Sequence, residues 1–130
     1  MTESDLSAPI ALVVEDDSDI RQLASVLLEE TDLRVIECES GEAALAVLQR
    51  LGESIALVFI DIRLPGLIDG IDLARQVRTH WPHASVVVTS GDPGDRLVDL
   101  PDGASYLAKP WRALDVLVAA ERALPRPIRA

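Results

Sequence analysis

Three short apolar runs, at residues 10–14, 55–60 and 85–89, constrain the fold of this chain more than any other feature. Each run is rich in β-branched residues and has almost no polar position. A strand with one face in water alternates apolar and polar residues, whereas an unbroken run is typical of a strand buried on both faces of a parallel sheet. Two weaker strands are predicted at residues 33–37 and 104–107. The sequence therefore predicts a parallel sheet of five strands.

Helical patterns separate these runs, because apolar residues recur there every three or four positions. Asp17, Ser40 and Asp69 stand just before three of the patterns and are residue types that cap helix N-termini. The alternation of strand and helix predicts an α/β fold, with right-handed crossovers and helices on both faces of the sheet. The apolar helical positions are Ile20, Leu23, Ala24 and Leu27, then Ala44, Val47, Leu48 and Leu51, then Leu73, Ala74 and Val77, and finally Leu114, Leu117 and Val118.

Residues 91–103 depart from this alternation. Gly91, Pro93 and Gly94 open the segment and Pro101 and Gly103 close it, so that only residues 95–100 lie between helix breakers. The helix between the fourth and fifth strands is therefore predicted to be short or irregular, within a mobile loop.

Length and apolar content predict a single domain. The chain has 130 residues, 48% of them apolar, which is enough for one core but not for two. Residues 1–9 are polar and predict a flexible lead, residues 10–124 form the predicted domain, and the prolines of residues 125–130 predict a C-terminal tail. We therefore expect no fused output domain.

The net charge of the chain limits the classes of partner that it is expected to bind. A formal net charge of -10 repels nucleic-acid phosphates and argues against membrane surfaces, so we expect proteins or metal ions as partners. The one cysteine, Cys38, has no partner for an internal disulfide, and neither a signal peptide nor a bilayer-length apolar run is present. A cytoplasmic location is expected, with Cys38 as a structural or surface thiol rather than a reactive one.

Polar residues follow four of the predicted strands at the points where the strands end. They are Glu15, Asp16 and Asp17 after the first strand, Asp61 after the third, Thr89 and Ser90 at the fourth, and Lys109 and Pro110 after the fifth. In an open parallel sheet, ligands bind beyond the carboxyl ends of the strands. These residues are therefore expected at one edge of the sheet, where a ligand would bind.

Each of these residues has an ordinary explanation when taken alone, as a helix cap, a strand former or a surface lysine. Together they predict a cation site, because carboxylates that converge from two strands repel one another. Mg²⁺ fits best, since it prefers oxygen ligands and commonly binds carboxylates and phosphate. Phosphoryl transfer needs a nucleophile, a metal and further donors, and Asp61, the pair Glu15 and Asp16, and Thr89 with Lys109 supply these parts in turn.

These residues lie in five motifs that resemble the receiver domains of two-component response regulators. The motifs are Leu12-Val13-Val14-Glu15-Asp16-Asp17, Phe59-Ile60-Asp61-Ile62-Arg63-Leu64-Pro65-Gly66, Asp69-Gly70, Val88-Thr89-Ser90 and Tyr106-Leu107-Ala108-Lys109-Pro110. They occur in the order and spacing of that family, from about Ile10 to Leu124. The resemblance implies a flavodoxin-like sheet of strand order 2-1-3-4-5. It also implies a stand-alone regulator that signals by protein contact or relay.

The resemblance further implies a phosphorylation site. Asp61 would accept the phosphoryl group from a histidine kinase or a histidine phosphotransfer protein. Glu15 and Asp16 would hold Mg²⁺ together with Asp61, and the backbone carbonyl of Arg63 would be a further ligand.

A conformational switch is implied as well. Thr89 would be the switch hydroxyl that turns to the phosphoryl oxygen, Lys109 would pair with that oxygen, and Tyr106 would be the switch aromatic. For Tyr106 and Trp111, plain packing at the sheet edge is the alternative.

Three features differ from the usual family pattern. The loop from Pro65 to Gly70 is one residue longer than the usual spacing, which reshapes the region beside Asp61. Glu15 replaces the commoner aspartate and keeps its charge. The short segment 91–103 leaves little room for the usual switch surface, so output would rely on ordering of this loop.

Two other classes of protein stay open at this point. One is a degenerate receiver that binds a partner without phosphorylation. The other is an enzyme on a similar sheet, either a flavin carrier or an aspartate-nucleophile phosphatase; the acidic first loop disfavours FMN phosphate, and Arg63 stands where such a phosphatase usually has a second carboxylate. A monomer or a weak dimer is expected.

Overall fold

The computed structural model of the chain describes residues 8–92 and 97–124. It contains one sheet of five parallel strands in the order β2-β1-β3-β4-β5. The strands are β1 (Ile10–Val14), β2 (Arg34–Cys38), β3 (Ile55–Asp61), β4 (Ser85–Ser90) and β5 (Ala104–Ala108). The predicted fold class and strand order are confirmed.

The strand ends differ slightly from the predicted ones, except in β1. The strands β3, β4 and β5 each continue one residue further, because the ladder pairs Asp61 with Thr89 and Ser90 with Ala108. The polar side chains of Asp61 and Ser90 predicted the ends of β3 and β4, but backbone pairing does not depend on side-chain polarity. The edge strand β2 is displaced by one residue toward Cys38.

Among the described residues, three α-helices connect successive strands, namely α1 (Ser18–Glu29), α2 (Gly41–Leu51) and α3 (Gly70–His80), and a fourth, α4 (Ala113–Ala123), follows β5. The predicted caps are confirmed, since the side chains of Asp17, Ser40 and Asp69 accept hydrogen bonds from backbone N–H groups in the first turns of α1, α2 and α3. These caps fix where each helix begins relative to the strand before it.

Two apolar clusters form the core, one on each face of the sheet. Leu12, Val58 and Ile60 face α2 and α3, and alternate strand residues such as Val13 and Phe59 face α1 and α4. All five residues are at most 2% exposed. The central strands are therefore buried on both faces, which explains their unbroken apolar sequences.

The segment between β4 and β5 contains a single 3-10 turn, Leu97–Asp99, among its described residues. The prediction of a short or irregular element is confirmed for this part, and residues 93–96 lie outside the described residues. Residues 1–7 of the predicted lead and all of the predicted tail, 125–130, also lie outside them. None of the described helices is long and apolar enough to cross a membrane.

Candidate functional site

Three carboxylates meet at the carboxyl edge of the sheet, as the sequence predicts. Glu15 and Asp16 follow β1, and Asp61 ends the neighbouring strand β3. One carboxylate oxygen from each lies within 4.8 Å of the others. Glu15 and Asp61 are only 4% and 6% exposed, whereas Asp16 is exposed. Two of the negative charges are thus held away from water, where their repulsion is strongest.

Lys109 brings the compensating charge from the far end of β5. Its Nζ donates to Oε1 of Glu15 at 2.6 Å and lies 3.5 Å from Oδ2 of Asp61. The peptide bond from Lys109 to Pro110 is cis. Because β5 is two strands away from β3, the side chain extends across β4 to reach the carboxylates.

Burial and charge shift the protonation equilibria of this pair. Burial raises the pKa of Glu15; the hydrogen bond from Lys109 acts in the opposite direction, but nearby Asp61 adds to the increase, and the pKa stays above its ordinary value. Burial alone would lower the pKa of Lys109, yet its hydrogen bond to Glu15 and the charge of Asp61 outweigh that effect and raise it. Lys109 therefore stays protonated between the two carboxylates.

The backbone around Asp61 fixes the position of its side chain. The Arg63 N–H donates to Oδ1 of Asp61 at 3.3 Å, and the Gly70 N–H donates to the Ile62 carbonyl at 2.9 Å. A Cβ at Gly70 would lie 2.2 Å from the Asp61 carbonyl oxygen. The start of α3 thus packs directly against the end of β3, which only glycine permits.

The donor set at this edge fits a magnesium ion. Glu15, Asp16 and Asp61 offer the hard carboxylate oxygens that Mg²⁺ prefers, and the exposure of Asp16 leaves one side open to the waters that this ion retains. The side chain of Arg63 pairs with Asp92, with Nη2 2.8 Å from Oδ2. The metal-binding role of the Arg63 carbonyl stays a prediction.

A cavity of about 350 Å³ opens beside Asp61 and Lys109. Its other lining residues are Arg63, Ser90, Gly91 and Asp92. A group that enters this cavity meets a carboxylate and an ammonium group together. This is the combination that an incoming phosphoryl group requires, with one nucleophile and one positive charge.

Thr89 lies beside the site on β4, where it is the ladder partner of Asp61. The residue is 1% exposed, and its Oγ1 accepts a hydrogen bond from Nε1 of Trp111 at 2.7 Å. Tyr106 lies on β5, and its hydroxyl donates to the Ser90 carbonyl at 3.2 Å. The predicted switch residues are therefore adjacent to the site, and Tyr106 makes a specific hydrogen bond rather than a packing contact alone.

Sequence reasoning missed two contacts here. It offered packing at the sheet edge as one alternative for Trp111 and did not predict that the indole N–H donates to Thr89. It also gave no role to Arg21, whose Nη1 donates to the Glu15 carbonyl at 2.9 Å and whose Nε donates to Glu37. A basic residue one turn into the helix that follows an acidic loop was the available signal for Arg21.

The fold and the site together define a flavodoxin-like domain with an acidic pocket at the carboxyl edge of its sheet. The family model described as the response regulator receiver domain matches residues 11–121. The chain belongs to this family, so the resemblance found in the sequence is confirmed.

Several known proteins are similar to the chain. The transcriptional regulatory protein AruR of Pseudomonas aeruginosa is 37% identical over 123 residues, which cover 91% of this chain and 50% of that protein. The response regulator protein FleR of the same organism is 38% identical over 109 residues, covering 82% of this chain and 22% of FleR. The chain thus spans about half or less of the length of these curated relatives.

Solved receiver domains have the same fold. The receiver domain of NtrX from Brucella abortus superposes with a TM-score of 0.76 at 31% identity, over 87% of this chain and 96% of that domain. A response regulator receiver domain from Clostridium thermocellum gives a TM-score of 0.78 at 30% identity, over 88% and 93% of the two chains. Receiver domains of this family are signalling phospho-acceptors.

Proposed function

We propose that Asp61 accepts a phosphoryl group from the phosphohistidine of a sensor kinase or a histidine phosphotransfer protein. The observation that carries this proposal is the position of the Asp61 carboxylate, which lies between the acidic pair and Lys109 and borders an open cavity. A nucleophile, a neutralising cation and room for the incoming group are thus present together.

The transfer conserves charge and atoms through an in-line displacement. A carboxylate oxygen of Asp61 attacks phosphorus, the new P–O bond forms as the P–N bond to the donor imidazole breaks, and the imidazole leaves with the electron pair. Lys109 moves from Glu15 toward the phosphoryl oxygens and donates to one of them. The buried position of Asp61 limits the access of water to the product.

Glu15, Asp16 and Asp61 would hold Mg²⁺, with the Arg63 carbonyl as a further ligand. When bound, the ion supplies positive charge that offsets the charge of the transferring oxygens. Release of Glu15 by Lys109 frees a carboxylate for this role. Metal binding and phosphoryl binding therefore both favour the same movement of Lys109.

Phosphorylation would act as a population shift between two conformations. The acyl phosphate adds roughly two negative charges, which favour the state in which Thr89 and Lys109 approach it. Tyr106 follows, because its hydroxyl is tied to the residue after Thr89. The surface that would change includes β5, α4 and the described residues between β4 and β5, 91–92 and 97–103.

The output of the domain is proposed from the same features. Residues 10–124 form the receiver, which would signal by protein contact or pass the phosphoryl group onward in a relay. The absence of nucleic-acid and membrane partners, the monomeric or weakly dimeric state, the stand-alone organisation and the cytoplasmic location stay predictions. Relatives described as transcriptional regulators make DNA binding by an output domain the competing possibility.

Phosphotransfer from candidate histidine kinases tests the proposal. The wild-type chain should take up label in the presence of Mg²⁺, and Asp61→Asn should take up none. Asp17→Asn is the matched control, since Asp17 lies next to the acidic pair but caps α1, a role that asparagine also fills. Label on Asp61→Asn, or loss of label in Asp17→Asn alone, would contradict the assignment of Asp61.

A phosphoryl mimic separates a working receiver from a phosphorylation-independent binding module. Beryllium trifluoride with Mg²⁺ should shift the amide resonances of Asp61 and Thr89 and of the residues next to them. An unchanged spectrum would favour the binding module.

A further inference from the structure

Trp111 makes two different contacts at the carboxyl edge of the sheet. Its ring packs edge-on against Phe59, with ring centroids 5.1 Å apart and an interplanar angle of 80°. Its Nε1 donates to Oγ1 of Thr89 at 2.7 Å. The ring contact is one that phenylalanine could also make. The hydrogen bond needs an indole.

The hydrogen bond restricts the hydroxyl of Thr89. An indole nitrogen is a donor with no acceptor capacity, so the bond holds only while Oγ1 faces the ring. Thr89 is 1% exposed and Trp111 is half-buried, so water replaces the hydroxyl only in part if the hydroxyl turns away. Loss of the contact leaves a partly buried N–H without an acceptor, which costs free energy.

The contact also sets where the hydroxyl is. Phe59, Val87 and Trp111 belong to the cluster beneath α1 and α4, and Thr89 continues the same face of β4 beyond Val87. Across residues 8–92 and 97–124, Trp111 is the one hydrogen-bonding partner of the Thr89 side chain, and neither Asp61 nor Lys109 contacts it in this way. The hydroxyl of Thr89 is therefore held toward this apolar cluster rather than toward the carboxylate of Asp61.

We infer that Trp111 is a positioning residue that holds Thr89 in the unphosphorylated arrangement. The hydrogen bond from the indole N–H to Thr89 has to break before the Thr89 hydroxyl reaches a phosphoryl oxygen on Asp61. This inference rests on the proposed function, because it assumes that Thr89 turns to the phosphoryl group. It assigns Trp111 a part in setting the balance between the two states.

The test uses Trp111→Phe, which keeps a ring against Phe59 and removes only the donor. Beryllium trifluoride is titrated at fixed Mg²⁺, and the affinity is read from amide shifts near Asp61. Without this hydrogen bond, less free energy is needed to turn Thr89 toward Asp61. The variant should therefore bind the mimic about 2- to 10-fold more tightly, the range expected for one net hydrogen bond.

Two controls show whether the effect comes from the pair. Trp81→Phe makes the same substitution at the end of α3, away from the site, and should leave the affinity unchanged. In a Thr89→Val background the acceptor is already absent, so adding Trp111→Phe should change the affinity no further. A residual effect of Trp111→Phe there would mean that the ring acts through packing.

The indole resonance of Trp111 gives a readout that needs no variant to fold. In the wild-type chain, the mimic should shift the Trp111 Nε1–H signal and speed its exchange with water, while the Trp81 signal stays in place. A Trp111 signal that does not respond, or equal or weaker binding by Trp111→Phe, would overturn the inference. If the wild-type amides near Asp61 do not respond to the mimic, the proposed function fails instead.

Discussion

Lys109 Nζ lies 2.6 Å from Glu15 Oε1, although the two residues are 94 positions apart and follow strands, β5 and β1, that are separated by β3 and β4. The same ammonium group lies 3.5 Å from Asp61 Oδ2. One lysine therefore lies within ion-pair distance of two buried carboxylates and offsets part of their negative charge. It is the only lysine in the chain, so no neighbouring lysine can replace it.

Lys109→Met should destabilise the metal-free domain. The substitution leaves Glu15 and Asp61 facing each other without a cation, and removal of one partner from a buried ion pair of this kind costs about 2 to 4 kcal/mol when the lysine retains some exposure. Saturating Mg²⁺ should restore part of that loss, because the ion replaces the missing charge. Urea unfolding with and without Mg²⁺ measures both effects.

Arg50→Met is the control for this experiment. Arg50 is exposed at the end of α2, so its loss removes the same formal charge without exposing a buried carboxylate. A similar loss of stability in both variants would mean that net charge, rather than the contact with Glu15, accounts for the effect.

Gly70→Ala should displace the backbone of Asp61 and Ile62 and so distort the site. The added Cβ would lie 2.2 Å from the Asp61 carbonyl oxygen and 2.6 Å from the Ile62 Cα, and backbone cannot yield as a side-chain tip can. We expect a loss of about 2 to 3 kcal/mol in unfolding free energy and weaker Mg²⁺ binding, because the end of β3 has to move. Chemical denaturation and metal titration measure the two.

Gly91→Ala is the matched control, since a Cβ there meets no described atom within 4 Å. It should leave the unfolding free energy nearly unchanged. Equal effects at Gly70 and Gly91 would show that the backbone of Asp61 is not under the steric constraint described.

Much of this arrangement could be predicted from the sequence, because it depends on topology. Strand ends in a parallel sheet meet at one edge, and the polar residues after each apolar run therefore identify Glu15, Asp61 and Lys109 as neighbours. The breakers around residues 91–103 likewise predict that no full helix forms there.

The hydrogen bond between Trp111 and Thr89 could not be predicted in this way. It depends on the rotamers of two side chains 22 residues apart, and apolar patterning shows only that the tryptophan ring packs at the sheet edge. The sequence also did not predict that β3 extends to Asp61 and β4 to Ser90, because ladder pairing is a property of the backbone.

Arg63→Ala should leave metal binding almost unchanged. The Arg63 side chain is 66% exposed and pairs with Asp92, which is 54% exposed, so the ion pair contributes less than about 1 kcal/mol to stability. Alanine keeps the backbone carbonyl that is proposed as the ligand. Isothermal titration with Mg²⁺ should show an affinity within a few-fold of the wild-type value, whereas Asp16→Asn should weaken it markedly. Equal weakening by both substitutions would mean that the Arg63 side chain supports the metal site indirectly, through its ion pair with Asp92.

Cys38 should react slowly with thiol reagents, and its reactivity should rise steeply with pH. Burial raises the pKa of the Cys38 thiol to about 11, and Arg21 only partly offsets this. Roughly one thiol in a thousand is then ionised at pH 8, and alkylation by iodoacetamide should accelerate about tenfold per pH unit up to about pH 10. In urea the same thiol should titrate near its ordinary pKa, and its alkylation rate should level off above about pH 9.

Because the pKa of Cys38 is higher in the folded state, the thiol stabilises the fold below the unfolded pKa. This contribution to the free energy of unfolding is lost as the pH rises toward 11. Cys38 is the only cysteine, so mass spectrometry of the intact chain follows it alone. Equal rates in buffer and in urea at pH 8 would show that the end of β2 is open to solvent.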